Sequence, residues 1–445
     1  MNYADRLSNV AVLGAAGKMG SGIVLLTAME MADVRLAAAD DPPGMVLHAV
    51  DVSEKALAGL QRYLRAQVLK AAEKKTVALR RAYSARADLV ENEEIIRQYV
   101  EDVVGLVHPT SRIESAYDSR LVFEAVNEDP DLKVRLLSAI AASGPEDLWV
   151  LTNTSSIPIH ELDEKVGLGG RIIGFHFYNP PAVQKLVELI RAESTVSELG
   201  DFAVEYAKRL RKTVVPSRDV AGFIGNGHFM RDALYAVSEV DRLAAKSGFV
   251  EAVAMVNKVS QEFLIRPMGI FQLVDYVGID VCRSILKVMG ERLAGEDLSS
   301  PLIDRLLSMG VSGGQFPDGS QKDGLLKYEK GRPAAVFDPS RKAYTPLADI
   351  AGRVDSALGA LPGQVRPWKT VIQDPDRDRF LESYFEELAG MKTPGSDLAR
   401  RYGQESKAIG LGLVKNGVAA GPEDVNTVLL TGFYHAYGPI NGYFD

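Results

Sequence analysis

The amino-acid sequence predicts an α/β fold class: a doubly wound, mostly parallel sheet over residues 1–217, followed by all-α helical domains over 218–330 and 331–445. Three observations carry this expectation. A short apolar run, Asn9–Leu13, leads through a glycine-rich turn into a helical stretch. Short apolar runs and helical stretches then alternate as far as Pro216, the pattern of a sheet covered by helices on both faces. Beyond about Ser217 the β-like runs disappear and long helical patterns take over, beginning with RDALYAVSEVDRLAAKSG. At 445 residues the chain is also too long for one ordinary core.

Asn9–Leu13 is apolar, rich in valine and ends at glycine, as a buried parallel strand does. Gly14-Ala-Ala-Gly17-Lys18-Met19-Gly20 follows, and SGIVLLTAMEM continues as a helix. Small residues in such a turn let the backbone approach a pyrophosphate at a helix N-terminus. The spacing G-x-x-G-x-x-G is one residue longer than the commoner G-x-G-x-x-G. Val34–Ala39 reads as the second strand and ends at Asp40, whose carboxylate would accept hydrogen bonds from a ribose diol and repel a 2′-phosphate. NAD is therefore favoured over NADP.

From about Ser53 to Val107 the pattern is helical, and its basic cluster, Lys70, Lys74, Lys75, Arg80 and Arg81, reads as a solvated helix face. Apolar runs at Leu121–Val126, Trp149–Thr152, Arg171–Phe177, Lys185–Ile190 and Thr213–Pro216 read as further strands, with helical stretches at Leu132–Ala142 and Ser197–Arg211 between them. Within the helical half, Gly248-Phe-Val-Glu-Ala with Val256-Asn257 and Gly269 recurs as Gly417-Val-Ala-Ala with Val425-Asn426 and Gly438. The offset is 169 residues throughout, which predicts a duplicated helical unit.

Acidic side chains outnumber basic ones by 59 to 51, a formal charge of −8, which argues against nucleic acid as a partner. A single cysteine, Cys282, excludes an intramolecular disulfide and any cysteine-cluster metal site, and it fits a reducing compartment. Asp5, Arg6 and Lys18 bound the N-terminal apolar stretch, and no uncharged apolar run reaches the roughly 18 residues a spanning helix needs. The expectation is a cytoplasmic protein with no membrane and no metal.

Of the six histidines, His48, His108, His160, His176, His228 and His435, only His176 ends a predicted sheet strand, in GFHFYNPP. Ligand sites of open α/β sheets cluster there, and a histidine can act as a general base near neutral pH. A hydrogen-bonded structural histidine is the alternative for His176 taken alone. Glu188 lies twelve residues on, where a returning strand can set its carboxylate against the imidazole and stabilise the imidazolium. The polar turn Asn153-Thr154-Ser155-Ser156 ends the preceding strand and reads either as a ligand-facing turn or as a helix cap.

The segments FEAVNE (123–128), NTSS (153–156), GFHFYNPPAVQKLVELI (174–190), AGFIGN (221–226) and RPMGIFQLVDYVGID (266–280) resemble the successive signature segments of the 3-hydroxyacyl-CoA dehydrogenase family. The match covers about residues 8–330, in order and with similar spacing. It implies a Rossmann-type N-terminal domain and helical units like the C-terminal domain of 6-phosphogluconate dehydrogenase. It also implies NAD-dependent oxidation of an (S)-3-hydroxyacyl-CoA to the 3-ketoacyl-CoA. By the resemblance, His176 is the catalytic base, Glu188 its partner, and Ser155 and Asn226 bind and orient the substrate. Gly14, Gly17, Lys18, Met19, Gly20, Asp40, Ala125, Glu128, Lys133, Asn153 and Ser155 then line the dinucleotide, and Asn179 faces the substrate. A helical arm after the second strand covers acyl-CoA in relatives, which makes Lys74 a candidate for the CoA anion. Two alternatives stay open: a dehydrogenase of a free 3-hydroxy acid such as a sugar acid or carnitine, and a non-catalytic NAD-binding structural or regulatory protein. Besides its longer glycine loop, the chain departs from the family motif G-F-I-V-N-R at Gly225 and Gly227. The helical domain of single-copy relatives makes a homodimer interface, so the second copy implies either a homodimer or a pseudo-dimeric monomer.

Overall fold

Short strands and covering helices build the first of two units, Met1–Asp219, in the computed structural model, which describes residues 3–38, 44–316 and 319–445. Its sheet contains β1 (Asn9–Leu13), β2 (Val46–Val50), β3 (Val107–Thr110), β4 (Leu121–Glu124), β5 (Trp149–Thr152), β6 (Ile172–Phe177), β7 (Leu186–Arg191) and β8 (Thr213–Arg218). The order is β3-β2-β1-β4-β5-β6-β7-β8. Neighbours pair in parallel except β6 and β7, which are antiparallel. β4 and β5 are buried at every residue, as strands covered on both faces must be. The strand order reverses between β1 and β4, so the loops after these two strands flank a topological switch point. Helices α1 (Tyr3–Arg6), α2 (Gly20–Ala37), α3 (Glu54–Lys74), α4 (Thr76–Ala82), α5 (Asn92–Gly105), α6 (Pro130–Ser143), α7 (Ile159–Val166) and α8 (Ser197–Arg209) complete the unit.

Two expectations change. Val34–Ala37 is the last part of α2 rather than a strand. A short apolar run does not by itself distinguish the two states, and here it continues a helix whose Ile23, Val24, Ala28, Met31 and Ala32 face the core. The second strand is VLHAV at 46–50, and the acid that ends it is Asp51. Asp40 lies outside the described residues. The segment 53–107 is helical over α3, α4 and α5, with a non-helical turn at 83–91, and an edge strand, β3, begins at its end. β3 contains Pro109, which an edge strand tolerates because it need not donate on both sides.

The helical arm holds together by helix-period contacts. Ser53 caps α3 through Ala56 N–H, and Leu57, Leu60, Leu64, Val68 and Ala72 form one buried stripe against Ile95, Tyr99 and Val103 of α5. Lys75, read with the solvated cluster, instead turns inward to Asp33 (2.8 Å) and the Tyr99 hydroxyl (2.5 Å).

The second unit, Val220–Asp445, contains α9 (Gly225–Ser247), α10 (Phe249–Lys258), α11 (Ile270–Val277), α12 (Ile279–Gly290), α13 (Pro301–Ser308), α14 (Leu347–Leu358), α15 (Trp368–Val371), α16 (Arg377–Gly390), α17 (Pro394–Lys415) and α18 (Pro422–Gly432). Its helices are joined by a three-stranded antiparallel sheet of β9 (Leu326–Glu329), β10 (Arg332–Asp338) and β11 (Ala343–Pro346), which a purely helical reading of this half lacks. One hydrophobic cluster runs from Ala221 to Phe444, so the segments 218–330 and 331–445 share a core. Among the described residues no helix is long and apolar enough to cross a membrane.

The internal echo has a common local structure. Asn257 Oδ1 accepts the Phe271 N–H at 3.1 Å, and Asn426 Oδ1 accepts the Ile440 N–H at 2.9 Å, positions again 169 apart. A Cβ on Gly269 or on Gly438 would fall 2.2 Å from the same asparagine side chain, so each glycine makes room for the side chain that braces the next turn. A buried polar cluster joins the two segments: Arg266 pairs with Asp232 at 2.7 Å and donates to Ser406 Oγ at 3.2 Å, while the Tyr402 hydroxyl donates to Asp232 at 3.1 Å. Burial alone would raise the Asp232 carboxyl; Arg266 overrides it and holds the group below the usual carboxylate range.

Candidate active site

β1 ends where the chain must turn sharply, and the turn is built from backbone contacts that admit no side chain. A Cβ on Gly14, whose φ is +72°, would lie 2.6 Å from the Ala125 carbonyl oxygen, and a Cβ on Gly20 would lie 2.0 Å from the Gly14 oxygen. Met19 and Gly20 open α2, while Gly17 and Lys18 are exposed at the tip of the loop. This is a cradle at a helix N-terminus, suited to an anionic phosphate group. Asp51, at the C-terminal end of β2, accepts the Ala16 N–H (3.0 Å) and the Ser53 N–H (3.1 Å), so a carboxylate stands beside the cradle. Asp51 was missed because the segment ahead of it, VLHAV, is interrupted by His48 and gives neither an unbroken apolar run nor a strict alternation.

Across the switch point, one carboxylate organises two loops. Glu128 Oε1 accepts from Thr154 Oγ1 (2.7 Å), from the Ser155 and Ser156 amides (2.9 and 3.1 Å) and from their hydroxyls (3.3 and 2.9 Å). Its Oε2 lies 3.2 Å from Lys133 Nζ. Lys133 is 1 % exposed and also binds Glu124 at 2.7 Å, whose other oxygen accepts from Thr152. Burial works against the charge on both Glu128 and Lys133, yet each overcomes it: Lys133 and the turn's donors hold Glu128 low, and the two carboxylates hold Lys133 high. Lys133 thus supports the loop from below. Glu124 escaped sequence reasoning because an acid inside an apolar strand gives no periodic signal. Asn153 Oδ1 accepts the Phe177 N–H at 2.9 Å and ties this turn to the end of β6.

His176 and Glu188 face one another as register partners across the antiparallel β6–β7 pair. The period-2 alternation puts Phe175 and Phe177 on the opposite face, packed with Tyr206 and its neighbours, so the same strand supplies core on one side and chemistry on the other. His176 Nδ1 lies 3.4 Å from Glu188 Oε1, and Glu188 is fully buried. The Tyr178 hydroxyl donates to that same oxygen at 2.5 Å, and burial together with the Glu188 charge pushes the phenol far above its usual range, keeping it a donor. Tyr178 is a further residue of the site that sequence reasoning passed over inside its own motif. Asn179 follows, half-buried, at the start of the turn between β6 and β7.

The structure therefore places, within the first unit, the glycine loop, Ala125, Glu128, Asn153, Ser155, His176, Asn179 and Glu188 towards one end of the sheet, with Lys133 on α6 bound to Glu124 and Glu128. Lys74 is exposed at the end of α3. Asn226 belongs to the second unit, half-buried on the first turn of α9. The departure at Gly227 has a packing reason: a Cβ there would come within 3.0 Å of Leu413 on α17.

Residues 9–220 match the domain family described as 3-hydroxyacyl-CoA dehydrogenase, NAD binding domain, and residues 222–322 match its C-terminal domain. A probable 3-hydroxybutyryl-CoA dehydrogenase of Bacillus subtilis is 30 % identical over 307 residues, covering 68 % of this chain and 93 % of its own. A probable 3-hydroxyacyl-CoA dehydrogenase of Caenorhabditis elegans is 28 % identical over 320 residues, covering 72 % of this chain and 93 % of its own. The crystal structure of 3-hydroxybutyryl-CoA dehydrogenase from Escherichia coli shares the fold over 98 % of this chain and 90 % of its own, with a TM-score of 0.64 at 21 % identity. With both domain types matched in order around a glycine cradle and a histidine–glutamate pair, the chain belongs to the 3-hydroxyacyl-CoA dehydrogenase family.

Proposed function

We propose that the chain oxidises the hydroxyl of an (S)-3-hydroxyacyl-CoA to the 3-ketone with NAD, using His176 as the base. The observation that carries this reading is the facing of His176 and Glu188 across β6 and β7 at the switch-point end of a sheet with a dinucleotide cradle. The bound nicotinamide supplies the acceptor for the hydride that leaves C3. His176 presents Nδ1 to Glu188, so Nε2 is the nitrogen that takes the hydroxyl proton, and the carboxylate stabilises the imidazolium that results. Tyr178 keeps that carboxylate in place. Gly14, Gly17, Lys18, Met19 and Gly20 hold the phosphates, Asp51 takes the ribose role first assigned to Asp40, and Ala125 and Asn153 line the same cleft. Glu128 and Lys133 act through the Ser155 turn, which orients the substrate, and Asn226 keeps the substrate-binding role that its own motif implies. Asn179 stands next to the base, and Lys74 answers the CoA anion from the arm.

The test is NADH formation with 3-hydroxybutyryl-CoA, longer acyl-CoAs and free 3-hydroxy acids, carnitine included. Turnover that requires the CoA moiety is expected; equal turnover of the free acids would replace this substrate class by theirs. We also infer a pseudo-dimeric monomer, in which 331–445 covers the face that a partner subunit would cover. The shared core and the repeated asparagine–glycine brace support it. Sedimentation at several concentrations decides, a purely dimeric species being the refuting result. A cytoplasmic location fits the free, buried Cys282.

A further inference from the structure

Lys212 lies in the turn between α8 and β8, outside every motif named above. Its ammonium donates to the carbonyls of Pro181 (2.5 Å) and Gln184 (2.6 Å). Both carbonyls belong to the turn that joins β6 to β7, the loop of the hairpin on which His176 meets Glu188. That turn is closed from inside by the Val183 and Gln184 amides on the Pro180 carbonyl, at 3.0 and 2.9 Å. A helix-like turn directs its last carbonyls away from its own amides, and a lysine can satisfy them. On its other side the turn meets α2: a Cβ on Gly22 would lie 2.9 Å from Pro181 Cδ, so only a hydrogen fits between helix and proline. Since α2 begins at the glycine cradle, a single proline touches the dinucleotide helix on one side and the lysine on the other. Burial lowers the Lys212 ammonium to about 8, and its two acceptors are neutral carbonyls, so the cation is held by geometry rather than by a counter-charge.

We propose that Lys212 is a positioning residue for the reaction: by clamping the turn at 180–184 against the first turns of α2, it keeps Asn179 and the His176–Glu188 hairpin in register with the bound dinucleotide. The inference rests on the dehydrogenase reading above. A misplacement of about 1 Å at a reacting centre costs on the order of 100-fold in rate. Two variants of the full-length chain disturb the clamp from opposite sides, Lys212→Met by removing the donor and Gly22→Ala by pushing on Pro181. In steady-state NADH formation each should lower kcat by about 10–100-fold and raise KM for NAD, with KM for the acyl-CoA held within about twofold. Lys212→Arg, which keeps the donors, should recover part of kcat. Unchanged kcat and KM for NAD in both variants, with only a lower melting temperature, would overturn the proposal. If Lys212→Met does not accumulate as folded protein, Gly22→Ala alone decides. If the wild-type chain itself fails to reduce NAD, the dehydrogenase reading falls, and an NADH fluorescence titration still reads the clamp: weakened binding in the variants supports it, equal binding refutes it.

Discussion

Replacing Arg266 by methionine should be among the most damaging single changes in the second unit. Arg266 and Asp232 are almost wholly buried, and the guanidinium spends its donors on Asp232 at 2.7 and 3.4 Å and on Ser406 at 3.2 Å. Without it, Asp232 keeps the Tyr402 hydroxyl but loses its counter-charge, and the effect of burial prevails. Breaking one half of such a pair costs about 3–5 kcal/mol, whereas replacing both halves by neutral groups is often close to neutral. With a urea m-value of about 2–3 kcal/mol/M, Arg266→Met should lower the unfolding midpoint by roughly 1–2 M, and the double variant Asp232→Asn/Arg266→Met should recover most of that loss. The chain has two tryptophans, Trp149 in the first unit and Trp368 in the second, so a Trp149→Phe background leaves one reporter of the second unit. The Trp368 indole donates to the Tyr434 carbonyl at 2.7 Å and changes environment when that unit opens. Two results would refute the reasoning: a midpoint shift of less than about 0.3 M for Arg266→Met, or a double variant as unstable as the sum of its singles.

His176→Ala should lose about 10²–10⁴-fold in turnover while NADH binding persists, measured by fluorescence titration, because the base is removed and the cradle is not. Gly269→Ala and Gly438→Ala should each destabilise the second unit by several kcal/mol in urea titrations, and by similar amounts if the two braces are equivalent; a harmless change at either position would break the equivalence. Burial raises the Asp275 carboxyl to about 7 although Leu325 N–H, Leu326 N–H and the Tyr328 hydroxyl bind it. The folded chain therefore binds a proton there that the unfolded chain releases near its ordinary value of about 4. Stability should fall as pH rises through the window from about 4 to 7, by at most about 1.4 kcal/mol per unit for this group, and Asp275→Asn should remove its share of the slope.

The site was legible where local chemistry and strand order coincide. β6 and β7 carry His176 and Glu188 at a spacing that a hairpin satisfies, and alternation along β6 separates Phe175 and Phe177 from the histidine. Motifs tied to a single turn, such as Gly14–Gly20, were equally readable, because only glycine tolerates the approach of the Ala125 carbonyl. Contacts set by tertiary structure were not. Glu124 and Lys133 look like an acid in a strand and a base on a helix until the sheet stacks them 2.7 Å apart. Val34–Ala37 has the composition of a strand and becomes helix because α2 already runs into it, so the second strand is 46–50 and the acid at its end is Asp51. The small sheet of β9, β10 and β11 is built from short strands, and the alternation of LKYE in β9 spans only four residues, too few to stand out from the helical patterns around it.

The Glu128 carboxylate has a bearing on how this enzyme could be altered. Its single oxygen Oε1 is the anchor of the loop that follows β5, yet the residue itself sits in the loop that follows β4. A Ser155 turn moved out of this chain into an unrelated scaffold would arrive without its anchor unless the Glu128 loop travelled with it. The transplantable piece is thus the pair of loops with Lys133 beneath them, and a graft of one loop alone should yield a folded chain whose serine wanders.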